Sequence, residues 1–359
     1  MGTVKKILFL VPYPLRQAPS QRFRVESFFP VIEKEEWKFT VCPFIDKKTW
    51  HILYQRGALF SKAWGLFKGY LRRWMIIFFK VRPYDYIFIH REAAPLGPPL
   101  FEWILAKLYR KKIIYDFDDA IWIPNTSSAN QFINWFKAFW KVKYICRWSY
   151  RIAVGNDYLY NYAVQFNPGV VKIPTSVDIN DDRPGARHNH NGRLNIGWTG
   201  SHSTLKYLDE LVPVINDLQN ELDFDFLVIA DKNPLLAVKN YKFILWNAGT
   251  EVEDLLNLDI GVMPLVADSW SEGKCGFKLI QYFACGIPAV ASPVGVNKII
   301  VENGVNGFLC DSKSEWKRSL QKLAADEALR RRLGMAGRKK VRDQYSIQSQ
   351  SGKFMGLFN

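Results

Sequence analysis

The sequence predicts an α/β protein made of two doubly wound parallel sheets in tandem, followed by C-terminal helices. Three observations carry this. The length, 359 residues, exceeds what one hydrophobic core ordinarily organises. Continuous apolar runs alternate with helix-length segments twice over, which is the pattern of a parallel sheet covered on both faces. Between the two series lies a polar stretch, "SVDINDDRPGARHNHNGR", rich in turn formers and without periodicity. The expected division is a domain over 1–177, a linker over 178–193, a domain over 194–345 and a tail over 346–359 that packs back on the first domain. Ligands in such sheets sit at the carboxyl ends of strands. With two such domains facing each other, the cleft is the expected site.

The first series opens with "KKILFLVPY", a buried strand that leaves in a Pro-rich loop. Its apolar run is too short for a secretory leader and lacks a small-residue cleavage site. "RVESFFPVIEK" suits a helix and "KFTVCPF" a strand. "YDYIFIHR", "KIIYDFDD", "RIAVGN" and "VVKIPT" read as strands, and "PPLFEWILAKLYRK" and "NQFINWFKAFWKVKYICRW" as helices. The second series restarts with the strand "LNIGWTG" and the helix "STLKYLDELVPVINDLQ". "FDFLVIAD", "KFILW", "DIGVMPL", "PAVASP" and "NGFLC" follow as strands, "VEDLLNL" and "GFKLIQYFACG" as helices. Helices dominate from Glu315 onward.

A hydrophobic content of 48% with 23% charged residues is that of a folded protein. The net charge of +15 is unevenly placed: residues 1–180 hold 27 Lys and Arg against 13 Asp and Glu, the remainder 22 against 21. The first half therefore suits an acidic partner, namely anionic lipid, nucleic acid or a phosphorylated substrate, or it is an ordinary solubilising surface. The five cysteines are scattered with no C-x-x-C, as in a reduced, cytosolic protein. No segment reaches the length of a membrane span. Residues 57–80, "GALFSKAWGLFKGYLRRWMIIFFK", interleave aromatic and basic side chains. They read as an amphipathic helix on an anionic membrane, or as a core helix with a solvated basic rim.

Two segments of the second half are candidates for anion binding. In "LNIGWTGSHSTLKYL" a strand ends at Gly200 and a helix begins near Ser203. Backbone N–H groups at a helix start attract phosphate, so Gly200, Ser201 and Thr204 are candidates; a tight strand–helix turn has the same sequence. In "SEGKCGFKLIQYFACG" the candidates are Glu272, Gly273, Lys274, Gly276, Phe277, Lys278 and Gln281. Lys278 lies at a helix start, where the dipole disfavours a cation, and a bound anion would relieve this. The alternative is two surface lysines and a packing glycine.

In the first half, "YDFDDAIW" places Asp116, Asp118 and Asp119 at the end of a buried strand, as metal ligands, a general base or helix caps. "APSQRFRV" sets Ser20, Arg22 and Arg24 in an extended loop after the first strand. Two guanidiniums one residue apart suit a phosphate or salt bridges at a helix end. His90 and Arg91 end another strand.

These segments resemble family 4 of the GT-B glycosyltransferases, in the branch with the pattern "DIGxMPL…GKCGFKLIQYMAxGxPVVASPVGxN". This chain has "DIGVMPL", "GKCGFKLIQYFACGIPAVASPVGVN" and "NGFL", and it has "KKILFLVPYP…PSQRFR", "IIYDFDDAIW" and "IGWTGSHST" at the matching places. The resemblance covers nearly the whole chain. It implies a GT-B fold of two Rossmann-like domains and a retaining transfer from a nucleotide-diphosphate sugar, which is a substrate, with no cofactor and no metal. The leaving diphosphate would be neutralised by Lys278 and the Gly276–Phe277 backbone. The family's E-x7-E signature is departed from: its second position is Gln281, an amide that can still bond a ribose, and its first is Gly273, beside Glu272. Related enzymes often have His-Asp where this chain has Asp118 and Asp119. That implies Asp118 against sugar or acceptor with Asp119 orienting it, and Ser20, Arg22, Arg24, His90 and Arg91 toward acceptor or phosphate. The expected acceptor is a cell-envelope glycan or lipid-linked saccharide, with the enzyme cytoplasmic, peripheral on an anionic membrane face and without nucleic acid. A nucleotide-sugar epimerase of the same double fold is one alternative. A non-catalytic protein that binds through its basic surface is another. No G-x-G-x-x-G follows the first strand of either half, which argues against a dinucleotide-binding dehydrogenase.

Overall fold

The computed structural model describes residues 4–53, 57–124, 136–179 and 193–359. The chain forms two compact units. The first comprises residues 1–175, 273–275 and 350–359, and the second comprises 176–272 and 276–349. Most of the expected linker, residues 180–192, lies outside the described residues.

The first unit holds a six-stranded, all-parallel sheet of β1 (Lys6–Val11), β2 (Lys38–Pro43), β3 (Tyr86–His90), β4 (Lys112–Phe117), β5 (Arg151–Val154) and β6 (Val170–Lys172) in the order β2-β1-β3-β4-β5-β6. β3 is buried throughout, as its unbroken apolar run predicts. The order reverses between β1 and β3, so the loops after these strands diverge there and leave room for a ligand. Its helices include α1 (Pro19–Arg24), α2 (Leu59–Met75), α3 (Leu100–Trp103) and α4 (Lys141–Trp148). The helix expected over 98–111 is short and turns into a π-helical stretch over Ile104–Leu108. The one expected over 130–148 is α-helical at Lys141–Trp148; its first residues, 130–135, lie outside the described residues. The "APSQRFRV" segment is not the extended loop expected. Ala18 is extended, Pro19 occupies the first turn and a helix follows, because proline's fixed φ and missing N–H suit that position.

The second unit holds β7 (Leu194–Gly200), β8 (Phe224–Ala230), β9 (Tyr241–Leu245), β10 (Ile260–Met263), β11 (Ala289–Ala291) and β12 (Gly307–Leu309), again all parallel, in the order β12-β11-β10-β7-β8-β9. Its switch point lies between β7 and β10. The segment expected as one helix after β7 splits into a 3-10 helix over His202–Leu208 and an α-helix over Val212–Gln219. Proline cannot sit inside a helix, and Pro213 instead starts the second one. The unit also contains α5 (Glu251–Leu255), α6 (Phe277–Ala284) and α7 (Glu327–Gln344). Its core gathers Trp198, Phe224, Phe226, Val262, Leu320 and Leu333.

Candidate functional site

In the first unit the carboxyl ends of β3 and β4 and the helix α1 bring seven ionisable or hydroxyl-bearing side chains together, those of Ser20, Arg24, His90, Arg91, Asp116, Asp118 and Asp119. His90 ends β3 and is wholly buried. Its Nδ1 lies 2.7 Å from Asp116 Oδ2 and its Nε2 lies 3.0 Å from Ser20 Oγ. Serine, histidine and aspartate thus stand in the order of a nucleophile, base and orienter. The far end of this line is closed, because Arg24 Nε donates to Asp116 Oδ1 at 3.1 Å and a second guanidinium nitrogen pairs with the same carboxylate. Arg24 also donates to the Ile173 carbonyl. Arg24 and His90, expected to face a phosphate, are therefore inward-facing. The helical conformation of α1 is the reason for Arg24. Two residues apart on a helix is about 200° of rotation, so Arg24 points to the core while Arg22 stays half-buried over the Phe23 ring, 4.9 Å from its centroid.

Asp118 and Asp119 follow β4 directly. Arg91, in the left-handed region at φ 61°, reaches both: Nη1 is 3.6 Å from Asp118 Oδ1 and 3.2 Å from Asp119 Oδ2. Its backbone N–H donates to the Asp116 carbonyl at 2.7 Å, which ties the residue down in that conformation. Burial raises the Asp118 carboxyl, but Arg91, His90, a hydrogen bond from Ser20 and Arg24 outweigh it and hold the group below the usual range. Asp119 shifts the other way. Burial and the adjacent Asp118 raise it, against Arg91 and Lys274. Two neighbouring carboxyls are thus pushed apart in acidity, an arrangement that divides acid and base roles. Asp118 Oδ1 is buried without a hydrogen-bond partner, so a donor arriving there would be welcomed.

Gly273–Cys275, expected with the second domain, belong to the first unit. The Lys274 carbonyl accepts from Asn156 Nδ2 at 2.9 Å, and the Cys275 thiol donates to the Asp118 carbonyl at 3.0 Å. Burial, with Asp118 next, pushes that thiol well up, so Cys275 stays protonated.

In the second unit the candidates meet at the end of β7. Gly276 precedes α6 with φ 66°, a conformation glycine adopts without penalty, and no side chain caps the helix. The first turn then carries Phe277 and Lys278. The Lys278 ammonium lies 5.3 Å from the Trp198 ring centroid, and a β-carbon on Gly200 would sit 2.8 Å from Lys278 Cε. The cation is therefore delivered to the switch point of the sheet. Beside it, Ser201 Oγ is 2.8 Å from Ser203 Oγ and Thr204 Oγ1 donates to the Ser201 carbonyl at 3.0 Å. The His202 N–H does not point at a ligand: it donates to Asp231 Oδ1 at 2.6 Å. Glu272 ends a one-turn helix over Ser269–Glu272. Gln281, one turn after Lys278, is buried and donates from Nε2 to Glu251 Oε1 at 2.9 Å, and Trp246 Nε1 donates to the same oxygen at 3.3 Å. Glu251 was not singled out by its sequence. Its one signal is a place at the start of a helix after a strand. Among the described residues no cluster of three His, Cys, Asp or Glu is arranged to hold a metal ion.

Comparison with known proteins places these observations. Residues 206–340 match the model of the glycosyl transferases group 1 family. An uncharacterized glycosyltransferase of Methanocaldococcus jannaschii is 29% identical over 158 residues, 41% of this chain; the match spans 43% of that relative's length. Among solved structures, sucrose-phosphate synthase from Thermosynechococcus elongatus superposes with a TM-score of 0.71 at 15% identity, covering 99% of this chain and 98% of its own. Anabaena HepE, solved with UDP and glucose and also with UDP-glucose, does so with a TM-score of 0.69 in the former complex, at 14% identity and 98% coverage of both chains. Residues 206–340 thus carry a glycosyl transferases group 1 domain, within a chain whose two parallel sheets have the GT-B fold.

Proposed function

We propose that the protein is a retaining glycosyltransferase that moves a sugar from a nucleotide-diphosphate donor to a hydroxyl of a cell-envelope glycan or lipid-linked saccharide at an anionic membrane surface. One observation carries the donor half of this reading. Lys278 sits at the first turn of a helix, against Gly200 at the end of β7 and inside the matched domain. In the reaction the bond from the sugar's anomeric carbon to the diphosphate oxygen breaks, a bond to the acceptor oxygen forms, and the acceptor proton leaves. Charge grows on the departing diphosphate. A lysine and the first N–H groups of a helix stabilise that charge more than they stabilise the bound donor, which is what lowers a barrier. The Gly200–Ser201–Thr204 turn would line the same phosphates, with Glu272 and Gln281 toward sugar and ribose. Asp118, kept ionised, would accept from a sugar or acceptor hydroxyl at Oδ1, and Asp119 would orient it. Retention without a protein nucleophile fits a same-face attack in which the leaving phosphate takes the acceptor proton. HepE, which shares the fold, is solved with UDP and UDP-glucose, so uridine nucleotides are the first donors to try.

Calorimetry with a panel of nucleoside diphosphates tests the reading. One should bind, and Lys278→Ala should weaken it by about 1.5–3 kcal/mol, the worth of a charge-assisted contact, while leaving the corresponding nucleoside unchanged. Equal diphosphate affinity in variant and wild type would remove Lys278 from the site.

A further inference from the structure

The outward face of α2 is apolar, and this inverts the ordinary arrangement of a surface helix. Its buried residues, Gly65, Gly69 and Arg73, follow one another four apart. The two glycines allow close approach: a β-carbon at Gly65 would meet the Thr49 side chain, and one at Gly69 would lie 2.8 Å from the Phe44 carbonyl oxygen. Arg73, which the sequence suggests at the surface, is instead buried, donating to the carbonyls of Ala93 at 2.8 Å, Cys42 at 2.8 Å and Val11 at 3.1 Å. The core-facing side is therefore small and polar. On the opposite side Phe60, Trp64, Phe67, Leu71 and Met75 recur at spacings of three and four, and Phe78 continues the line. Phe60 is 83% exposed, and the other five are each close to half exposed.

The patch extends sideways. Trp74 packs edge-on against Phe101, 4.9 Å between centroids, and beyond it Trp103 and Leu108 are exposed on the next helical segment. Residues 57–80 contain no acidic side chain. Lys68 borders the stripe, with its ammonium 5.5 Å from the Trp64 ring centroid, and Lys107 is exposed on the neighbouring segment. Arg72 lies beside Lys68 but is partly engaged, 3.8 Å from Asp46.

We infer that this face inserts shallowly into an anionic lipid bilayer, with α2 lying in the plane of the interface. A protein partner would ordinarily be met with about one hydrogen bond per 100–200 Å². The indole N–H groups of Trp64 and Trp103 are the donors that the exposed apolar side chains of this patch offer, and hydrocarbon asks for none. Aromatic rings suit the headgroup boundary, and lysines at the border of the patch meet lipid phosphate. The inference deepens the membrane part of the reading above, yet it is read out without donor or acceptor, so each can fail alone.

The experiment is co-sedimentation of the whole protein with vesicles of equimolar phosphatidylglycerol and phosphatidylcholine, against phosphatidylcholine alone, at low and high salt. Wild type should bind the anionic vesicles, and salt should weaken the binding. Lys68→Gln with Lys107→Gln should lower the partition coefficient about 30-fold at low salt, taking each basic residue at its usual worth near a charged surface. Phe60→Ser with Phe67→Ser should abolish binding at both salt levels while keeping diphosphate affinity and the melting temperature. Equal binding to neutral vesicles would overturn the choice of anionic lipid. Absence of vesicle binding, with a dimer in solution that the two serine substitutions dissolve, would overturn the inference in favour of a second copy of this chain.

Discussion

At the scale of single residues, the first unit's side-chain cluster is a balance of paired charges. Asp119 is raised by burial and by Asp118, so its ionised form costs folding free energy. That cost is absent below the unfolded carboxyl value of about 4 and complete above the raised folded value. Asp118 is lowered, so its contribution is favourable above about pH 4 and is lost as pH falls through the folded value. Asp119→Asn should therefore raise stability at neutral pH by something on the order of 1 kcal/mol, the scale of one partly exposed charge contact. The gain should vanish in acid. Urea midpoints measured from pH 3 to 8 for both proteins check this, and a gain that persists below about pH 4 would show that the like charges are not its cause.

At the scale of elements, α6 and α5 bring the Gln281 amide against a buried carboxylate. Beside the amide stands the carboxylate of Glu251, which accepts from Gln281 and Trp246 through one oxygen. A glutamate at 281 would set two carboxylates in contact in a buried spot. Gln281→Glu should then destabilise the protein at neutral pH by about 1–3 kcal/mol, the cost of leaving a buried polar group unsatisfied, and the loss should shrink as pH falls and one carboxyl takes a proton. Thermal melting at pH 5 and pH 8 separates this from simple loss of packing, which would be the same at both. The same element scale shows what local pattern could predict. The strand after strand succession and the start of α6 follow from apolar runs and from a glycine–aromatic–lysine sequence. The break of the helix after β7 escapes it: the segment reads as one helix, and Pro213 instead starts a second one.

At the scale of the whole molecule, the last ten residues belong to the first unit although the helix before them, α7, belongs to the second. Phe354 stacks on Phe28 with centroids 4.2 Å apart and planes 4° from parallel, and Phe358 packs edge-on against Trp37 and Tyr86. Both phenylalanines are buried. Phe354→Ala should cost about 3–5 kcal/mol, the range for removing a buried ring from a packed core, and should lower the melting transition of the first unit. A variant that melts with the wild type would show the tail to be dispensable.

The sequence by itself determined the α/β class and the two parallel sheets, and it singled out the segments proposed for a site. It could do so because apolar periodicity, turn formers and a lysine at a helix start are local properties of a chain. Tertiary structure alone decided the partners. That Arg24 turns inward to Asp116 depends on α1 being a helix packed at the end of β4. That Glu251 meets Gln281, thirty residues apart, depends on two helices converging. That Arg73 is buried while Phe60 is exposed depends on which side of α2 its glycines let approach Thr49 and Phe44. Composition is the same under either rotation of that helix, and only packing chooses between them.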